Sequence, residues 1–175
     1  MPEPSKLVSF EIFVVPHMGA AYNLARWLTR NDHDAEDVVQ EAYLRAFRFF
    51  DAYRGGDCRT WLLTIVRNTC YTWLQQNRKP SLALDQDMAE PDDARSNPET
   101  LLLRSVDAEQ LRQAVDDLPL EFREAIVLRE LEGLSYKEIS AITCVPLGTV
   151  MSRLARARGR LQKALAGRIH KGGAA

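Results

Sequence analysis

One stretch near the C-terminal end, from Leu134 to Leu165, constrains the fold more than any other. Ser135 followed three residues later by Glu138 is a capping-box pattern, which begins a helix. Pro146 cannot continue that helix but can begin another, so the stretch predicts two helices joined by a tight turn. The second helix is basic, because residues 147–175 contain no Asp or Glu. The major groove of DNA admits such an arrangement, and the alternative is a helical hairpin with a solvated basic helix.

Charge is segregated along the chain although the formal net charge is only -1. Residues 32–41 contain acidic residues and no Lys or Arg, whereas residues 42–80 are mainly basic. Residues 81–100 are acidic again, and the C-terminal stretch is basic. Segregated charge at near-zero net charge indicates separate surfaces for different partners.

Several classes of protein are disfavoured by the composition. No apolar run is long enough to span a membrane, and the N-terminus lacks the basic start and apolar core of a secretory signal. Cys58, Cys70 and Cys144 lack CxxC spacing, so we expect reduced thiols in a cytoplasmic protein, with neither a metal nor another cofactor. No Ser/His/Asp set, paired carboxylates or phosphate loop indicates an enzyme.

Apolar residues at helical spacing predict an all-helical first domain over residues 5–80. We expect Asp32 or Asp34 to cap its third helix, whose acidic first turn suits the positive end of the helix dipole. The face expected to be buried consists of Val38, Val39, Ala42, Ala46, Phe49 and Phe50. Helix capping alone would explain most of this acidic cluster.

The fourth expected helix runs from about Cys58 to about Asn77 and is capped by Asp57, after a loop that contains two glycines. Its core stripe is Trp61, Leu62, Ile65, Val66, Thr69 and Trp73. The opposite face carries Arg67, Asn68, Tyr71, Thr72, Gln75 and Gln76. Such side chains hydrogen-bond to bases or stack on them, and the alternative is an ordinary polar surface that faces solvent.

Residues 81–105 are rich in proline and acidic residues, which is typical of a flexible linker. The alternative to plain disorder is an acidic strand that mimics nucleic acid inside a basic channel. Residues 106–170 predict a second helical domain, in which Pro119 begins a helix and Gly133 provides a C-terminal cap. The expected fold class is therefore all-α, with two small helical domains, a flexible acidic linker and a helix-turn-helix in the second domain.

Motifs spread over nearly the whole chain resemble those of the extracytoplasmic-function (ECF) group of bacterial RNA polymerase sigma factors. Residues 34–41, DAEDVVQE, resemble that group's DAEDLVQE signature. Tyr53-Arg54-Gly55 with Thr60-Trp61-Leu62 resembles FRG…TWL, and residues 118–125 resemble LPxxxREA. Residues 134–139 and 148–154 resemble LSYxEI…GTVxSRL. The order and spacing of these motifs carry the resemblance more strongly than any single one.

The resemblance implies a cytoplasmic bacterial protein, not an enzyme, that binds core RNA polymerase and directs promoter-specific initiation. The clamp helices of the largest polymerase subunit would be contacted by Asp34, Asp37, Gln40 and Glu41. The minus-ten element would be melted and held by Gly55, Gly56, Asp57, Arg59, Arg67, Asn68, Tyr71, Thr72 and Gln75. The minus-thirty-five duplex would be contacted by Ser135, Tyr136, Gly148, Thr149, Met151, Ser152, Arg153, Ala155 and Arg156.

Further partners follow from the same resemblance. The acidic linker would thread the RNA-exit region, and the first helices of the second domain would bind the polymerase flap. The loop from Gly55 to Arg59, together with Asn68 on the next helix, would line a pocket for a base flipped out of the minus-ten element. Promoter DNA and an anti-sigma factor are expected partners, without insertion into a membrane.

Three departures from the family pattern are visible in the sequence. The loop from Gly55 to Thr60 is one residue shorter than the common form and lacks its phenylalanine, which leaves the flipped base unspecified. Met151 and Ala155 replace residues that are better suited to base contacts. The readout would then rest mainly on Ser152, Arg153 and Arg156. Cys144 replaces the usual glycine of the turn, so we expect mild strain there.

Two other functions remain open on the sequence alone. The chain could mimic a sigma factor and titrate an anti-sigma factor, although intact base-reading residues in both domains argue against this. It could also be an ordinary helix-turn-helix repressor, but the first domain shows no obvious ligand pocket. Run-off transcription with core polymerase separates these possibilities.

Overall fold

The computed structural model describes residues 5–77 and 108–172. Regular secondary structure in both ranges is helical, as the sequence predicts. The helices are α1 (Lys6–Val14), α2 (Met18–Thr29), α3 (Asp32–Phe49), α4 (Cys58–Asn77), α5 (Ala108–Asp116), α6 (Leu120–Ile126), α7 (Tyr136–Thr143) and α8 (Leu147–Gly172). A π-helical turn, Val127–Leu131, extends α6. The linker expected at residues 81–105 lies outside the described residues.

Within the described part of the chain, no helix is both long enough and apolar enough to cross a membrane.

Side-chain caps determine where the helices of the first domain begin. Asp57 caps α4, as predicted: its carboxylate accepts hydrogen bonds from the Arg59 amide at 3.1 Å and the Thr60 hydroxyl at 2.5 Å. The expected caps of α3 are wrong, because Asn31 holds that position and its Oδ1 accepts from the Asp34 amide at 3.1 Å. Both aspartates instead lie in the first turn, where the helix dipole favours negative charge.

Helices α2, α3 and α4 pack together, and α1 closes one end of their core. Phe10 of α1 is buried and meets the rings of Tyr43, Phe47 and Phe50 edge-on, at centroid distances of 5.0–5.4 Å. Such aromatic pairs contribute about 0.5–1.5 kcal/mol each beyond the area that they bury. The prediction that Phe49 is buried is wrong, since 55% of this residue is exposed. Phe49 ends α3 on the solvent side of the aromatic cluster.

The second domain is built around the long helix α8. Val150, Leu154 and Ala157 are buried at helical spacing, as the sequence predicts, and α5, α6 and α7 pack against this face. Ser135 caps α7 by accepting from the Glu138 amide at 3.1 Å, while its hydroxyl donates to the Glu138 carboxylate. The predicted serine cap is therefore confirmed, and the Glu138 carboxylate also contacts the serine hydroxyl.

Cys144 ends α7 in the left-handed region of backbone conformation, with φ +56°. This conformation favours glycine because it brings the Cβ of other residues close to the backbone. The expectation that Cys144 occupies a glycine-like position of the turn is confirmed. The turn directs α8 away from α7 and completes the helix-turn-helix.

The two domains are in contact along α2 and α4. Helix α4 packs against α7, and α2 packs against α6 and the π-helical turn that follows it. The buried apolar residues of both domains form one continuous cluster, from Phe10 to Ala157. The polar face of α4 consequently lies beside the second domain.

Candidate nucleic-acid interface

The loop between α3 and α4 forms the rim of an open hollow. Gly55 and Gly56 have φ values of +86° and +94°, which glycine adopts readily and other residues adopt only under strain. The Tyr53 hydroxyl donates to the Gly56 carbonyl at 2.7 Å and so fixes the loop. The hollow has a volume of about 660 Å³, and Phe13 and Asp57 are among its lining residues. The structure therefore places three predicted minus-ten residues, Gly55, Gly56 and Asp57, around one cavity, whereas Asn68 does not line it.

Farther along α4, two predicted minus-ten residues bind a carboxylate of the second domain. Arg67 Nε lies 2.8 Å from Oε1 of Glu124, and the Tyr71 hydroxyl donates to the other oxygen, Oε2. The Arg67 guanidinium carbon also lies 3.7 Å from the centroid of the Tyr71 ring. Only 1% of the Glu124 side chain is exposed. This group of three side chains therefore joins the domains at a largely buried site.

Burial governs the protonation of these groups. It raises the pKa of the Glu124 carboxyl, against the opposing effects of Arg67 and Tyr71. It also raises the pKa of the Tyr71 phenol, and the nearby carboxylate acts in the same direction. For Arg67, burial lowers the pKa, but Glu124 outweighs this and the net direction is upward. Arg67 and Tyr71 consequently keep their protons and remain hydrogen-bond donors.

A second carboxylate of the second domain, that of Glu132, binds another predicted minus-ten residue, Arg59. The Arg59 guanidinium donates to the backbone carbonyl of Glu132 and lies 3.3 Å from its carboxylate. The other carboxylate oxygen of Glu132 accepts from Asn23 Nδ2 at 2.9 Å. The remaining members of the polar face, Asn68 and Gln75, are exposed, and Thr72 donates to the Asn68 carbonyl. The polar face is thus divided between residues covered by the second domain and residues open to solvent.

Most of the predicted minus-thirty-five residues lie at the start of α8 in the second domain. Exposed positions are Gly148, Met151, Ser152, Ala155 and Arg156, and Thr149 is half-buried. Arg153 is partly covered and lies 3.7 Å from the Glu121 carboxylate. Ser135 caps α7, and the Tyr136 ring contacts the Arg129 guanidinium at 4.7 Å. Among these, Arg156 has no ion-pair partner within residues 5–77 and 108–172, so its guanidinium is available to a ligand.

Two further basic residues of α8 have partners inside the domain. Arg158 forms an ion pair with Glu130 at 2.8 Å, and the Arg160 guanidinium lies 5.2 Å from the Phe122 ring centroid. Arg158 and Arg160 are therefore committed in part to contacts within the second domain. Both side chains also hold α8 to the preceding helical segment.

The acidic surface of α3 is open to solvent. Asp37, Gln40 and Glu41 are exposed, Asp34 is half-buried, and Glu41 pairs with Arg45 at 2.9 Å within the same helix. An exposed ion pair of this kind contributes less than about 1 kcal/mol. The surface is therefore polar and accessible, and its ion pair contributes little to the stability of the fold.

Comparison with known proteins places these surfaces in a family. The family described as Sigma-70 region 2 matches residues 13–79, and Sigma-70, region 4 matches residues 108–161. The ECF RNA polymerase sigma-E factor of Escherichia coli strain K12 is 46% identical over 138 residues, covering 71% of this chain and 70% of the relative. The chain belongs to the ECF sigma factors of RNA polymerase.

A second relative and a solved structure extend the comparison. The ECF RNA polymerase sigma factor SigE of Mycolicibacterium smegmatis is 38% identical to this sigma factor over 167 residues. The match covers 94% of this chain and 64% of that relative, so the chain spans about two thirds of the relative's length. The sigma factor RpoE of Bartonella quintana, solved in complex with the anti-sigma factor NepR, has a TM-score of 0.70 at 29% identity. That likeness covers 90% of this chain and 97% of the solved one.

Glu124 and Glu132 are the site residues of this sigma factor that sequence reasoning missed. Glu124 belongs to the motif at residues 118–125 and directly precedes four apolar residues of the buried stretch 125–128. A carboxylate within such a stretch signals a paired, functional or interface role, and it could have been singled out on that ground. No comparable signal marks Glu132, because its partners Asn23 and Arg59 are distant in sequence.

Proposed function

We propose that this sigma factor binds core RNA polymerase and directs promoter-specific initiation of transcription. It would recognise the minus-thirty-five duplex with its helix-turn-helix and melt the minus-ten element with its first domain. The observation that carries the proposal is the presence of both DNA-reading regions in one chain, since residues 13–79 match region 2 and residues 108–161 match region 4. An ordinary repressor would not need both regions, and the intact base-reading residues in both domains argue against a titrating mimic.

The exposed start of α8 is suited to reading duplex DNA. An arginine can make two hydrogen bonds to guanine in the major groove, and Ser152 can donate or accept beside it. Arg156 and Ser152 are both exposed, whereas Arg153 has to leave Glu121 before it can contact a base. Arg156 is therefore the proposed principal reader of the minus-thirty-five element.

The hollow beside Gly55 and Gly56 is suited to an unstacked base. Removing a base from the stack costs a few kcal/mol, so a pocket has to offer contacts that offset this loss. Tyr53 supplies a ring, and Asp57 and the loop backbone supply polar groups. Asn68 and Gln75, exposed on α4, would hydrogen-bond to the neighbouring bases of the single strand.

Protein partners follow from the exposed surfaces and from the relatives. The acidic surface of α3, with Asp37 and Glu41, would contact the clamp helices of the polymerase, and the second domain would contact the flap. An anti-sigma factor is a proposed regulator, because the sigma factor RpoE was solved in complex with one. We assign the protein to the bacterial cytoplasm, where its polymerase partner acts, and assign it no enzymatic activity.

Run-off transcription with bacterial core polymerase and a promoter library tests the proposal. Wild-type protein is expected to yield transcripts with defined starts from a subset of promoters, whereas a repressor or a titrating mimic would yield none. Asp37→Lys should reduce the yield about tenfold, which corresponds to about 1.4 kcal/mol of lost polymerase binding. Glu36→Lys is the matched control, because Glu36 is exposed on the same helix and was not assigned to the clamp surface. Equal losses in both variants would remove the assignment of Asp37.

A further inference from the structure

We propose that Phe13 of α1 is the side chain on which a base unstacked from the minus-ten element stacks. This inference rests on the proposed function, because it assumes that the hollow beside Gly55 and Gly56 receives such a base. It gives α1 a part in promoter melting, although the match to Sigma-70 region 2 begins only at residue 13, near the end of that helix.

The lining of the hollow comes from two segments of the chain. The loop and its flanks contribute Phe50, Tyr53 and residues 55–58. Helix α1 and the turn that follows it contribute Ser9, Ile12, Phe13, Pro16 and His17. Residues 55–60 contain no aromatic side chain. An aromatic surface for a base therefore has to come from elsewhere in the lining.

Three aromatic rings line the hollow, and one of them has room for a further partner. Phe50 stacks on Tyr53 at a centroid distance of 5.8 Å and also meets Trp61 at 6.3 Å. Tyr53 is half-buried and lies 5.2 Å from the same Trp61 ring. Phe13 is 50% exposed, and its one ring contact within residues 5–77 and 108–172 is with Tyr53, at 6.5 Å. Phe13 is thus the ring that a base can reach.

Helix α1 is fixed in place, so the position of the Phe13 ring is set before DNA binds. Phe10 and Val14, on either side of Phe13 in the sequence, are buried in the core. Lys6 Nζ lies 2.8 Å from the carboxylate of Asp51, which precedes the loop. A ring held in this way loses little conformational freedom when a base stacks on it, which favours binding.

The size and polar groups of the hollow suit one nucleotide. Its volume of about 660 Å³ is in the usual range for small-ligand sites. A Cβ added at Gly55 or Gly56 would meet nothing within 4 Å, so the space beside the loop is open. A hydrogen bond from the Thr60 hydroxyl, helped by backbone amides, lowers the pKa of Asp57. Asp57 is therefore an ionised acceptor for the amino group of a base, beside a ring that can stack on its face.

A docking surface for a protein is the alternative role of α1. Leu7 and Ile12 are 55% and 62% exposed, and they form part of an apolar surface on the same helix as Phe13. Leu7 does not line the hollow. If α1 bound a protein, Leu7 would contribute as well as Phe13, and the presence of a particular base would not matter.

Holoenzyme assembled with full-length variants tests the proposal on a promoter that the wild-type protein opens. The equilibrium between closed and open complex is measured by the permanganate reactivity of unpaired thymines. Phe13→Ala should reduce opening about tenfold, within the range for one base stacked on an aromatic ring. Phe13→Leu, which keeps an apolar side chain without a ring, should lose about as much. Phe13→Trp should keep at least half of the wild-type opening. Circular dichroism checks that each variant is folded.

A promoter series with single abasic sites identifies the partner of the ring. The sites are placed in turn along the non-template strand of the minus-ten element. At one position, Phe13→Ala should cause no further loss, because the base that stacks on the ring is already missing. A purely structural role of Phe13 would give the same loss at every position.

Two control variants separate stacking from the loss of exposed apolar surface. Phe49→Ala removes a ring that is 55% exposed but does not line the hollow, and Leu7→Ala shortens an exposed side chain of α1 itself. Both should open the promoter as the wild type does.

The proposal is overturned if Phe13→Leu opens the promoter normally, if the loss in Phe13→Ala is the same at every abasic position, or if Leu7→Ala causes an equal loss. Wild-type holoenzyme that opens no promoter would contradict the proposed function and this inference with it. Normal opening by all three Phe13 variants would contradict this inference alone.

Discussion

Cys70 and Cys144 have the same side chain in opposite surroundings. Cys70 is fully buried in α4, and burial raises the pKa of its thiol to about 12. Burial also raises the pKa of the Cys58 thiol. Cys144 is exposed at the turn of the helix-turn-helix. Because the thiolate is the reactive form, these differences in burial determine which cysteine can be oxidised or alkylated.

We predict that a thiol reagent such as Ellman's reagent reacts rapidly with one cysteine of the native protein, Cys144. Raising the pH from about 7 to about 9 should leave Cys70 unreactive, because its thiol remains protonated over that range. Cys144→Ser should abolish the rapid phase, whereas Cys70→Ser should leave it unchanged. A rapid phase that survives in Cys144→Ser would show that a buried cysteine becomes accessible by local opening.

At the scale of helices, most of the side chains that cap a helix could be predicted from the sequence. Ser135 and Asp57 were predicted as caps because short polar side chains ahead of an apolar periodic run satisfy the first free amides of a helix. The prediction failed at α3, where several cap-forming residues follow one another and the sequence does not select among them. Asn31 caps that helix, while Asp32 and Asp34 occupy its first turn.

Contacts between the two domains could not be predicted from local sequence patterns. Arg67 and Glu124 are 57 positions apart, and Tyr71 and Glu124 are 53 apart. Helical periodicity places Arg67 and Tyr71 on one face of α4, but it gives no information about what covers that face. The sequence therefore identified residues able to contact bases and missed the carboxylates that bind them here. The contact depends on how the two helical units pack, which no local pattern encodes.

The start of α8 allows a prediction about sequence readout. Arg156 is exposed, whereas Arg160 contacts the Phe122 ring at 5.2 Å and lies a turn farther along the helix. Arg156→Ala should lose discrimination at one position of the minus-thirty-five element, by about 1–3 kcal/mol. Arg160→Ala should instead weaken all sequences evenly, with a small loss of stability of about 0.5–1 kcal/mol from the ring contact. Binding of both variants to single-base promoter variants, measured at several salt concentrations, distinguishes them. Equal and sequence-independent losses would make Arg156 a phosphate contact.

At the scale of the whole molecule, the two domains are in contact along α2 and α4. The surfaces proposed to contact polymerase lie on α3 in the first domain and on the first helices of the second domain. The contacts at Glu124 and Glu132 hold these surfaces in one fixed relation. If the polymerase binds the domains at separate places, holoenzyme assembly has to break those contacts, and the free energy of the contact between the domains is subtracted from the affinity for polymerase.

This coupling predicts the behaviour of Glu124→Lys in transcription. The variant should need less sigma factor for half-maximal run-off transcription, by about threefold or more, since the contact between the two domains is weakened. The yield at saturating sigma factor should remain near the wild-type level, because the Glu124 side chain is only 1% exposed and no DNA contact is proposed for it. Glu130→Lys, which changes the charge equally but breaks a contact within one domain, should give the wild-type titration curve. A titration of each variant against fixed core polymerase measures both quantities. An unchanged midpoint for Glu124→Lys would mean that the contact between the domains does not limit assembly. A lower saturating yield would mean that Glu124 also acts in the complex of polymerase with melted promoter DNA.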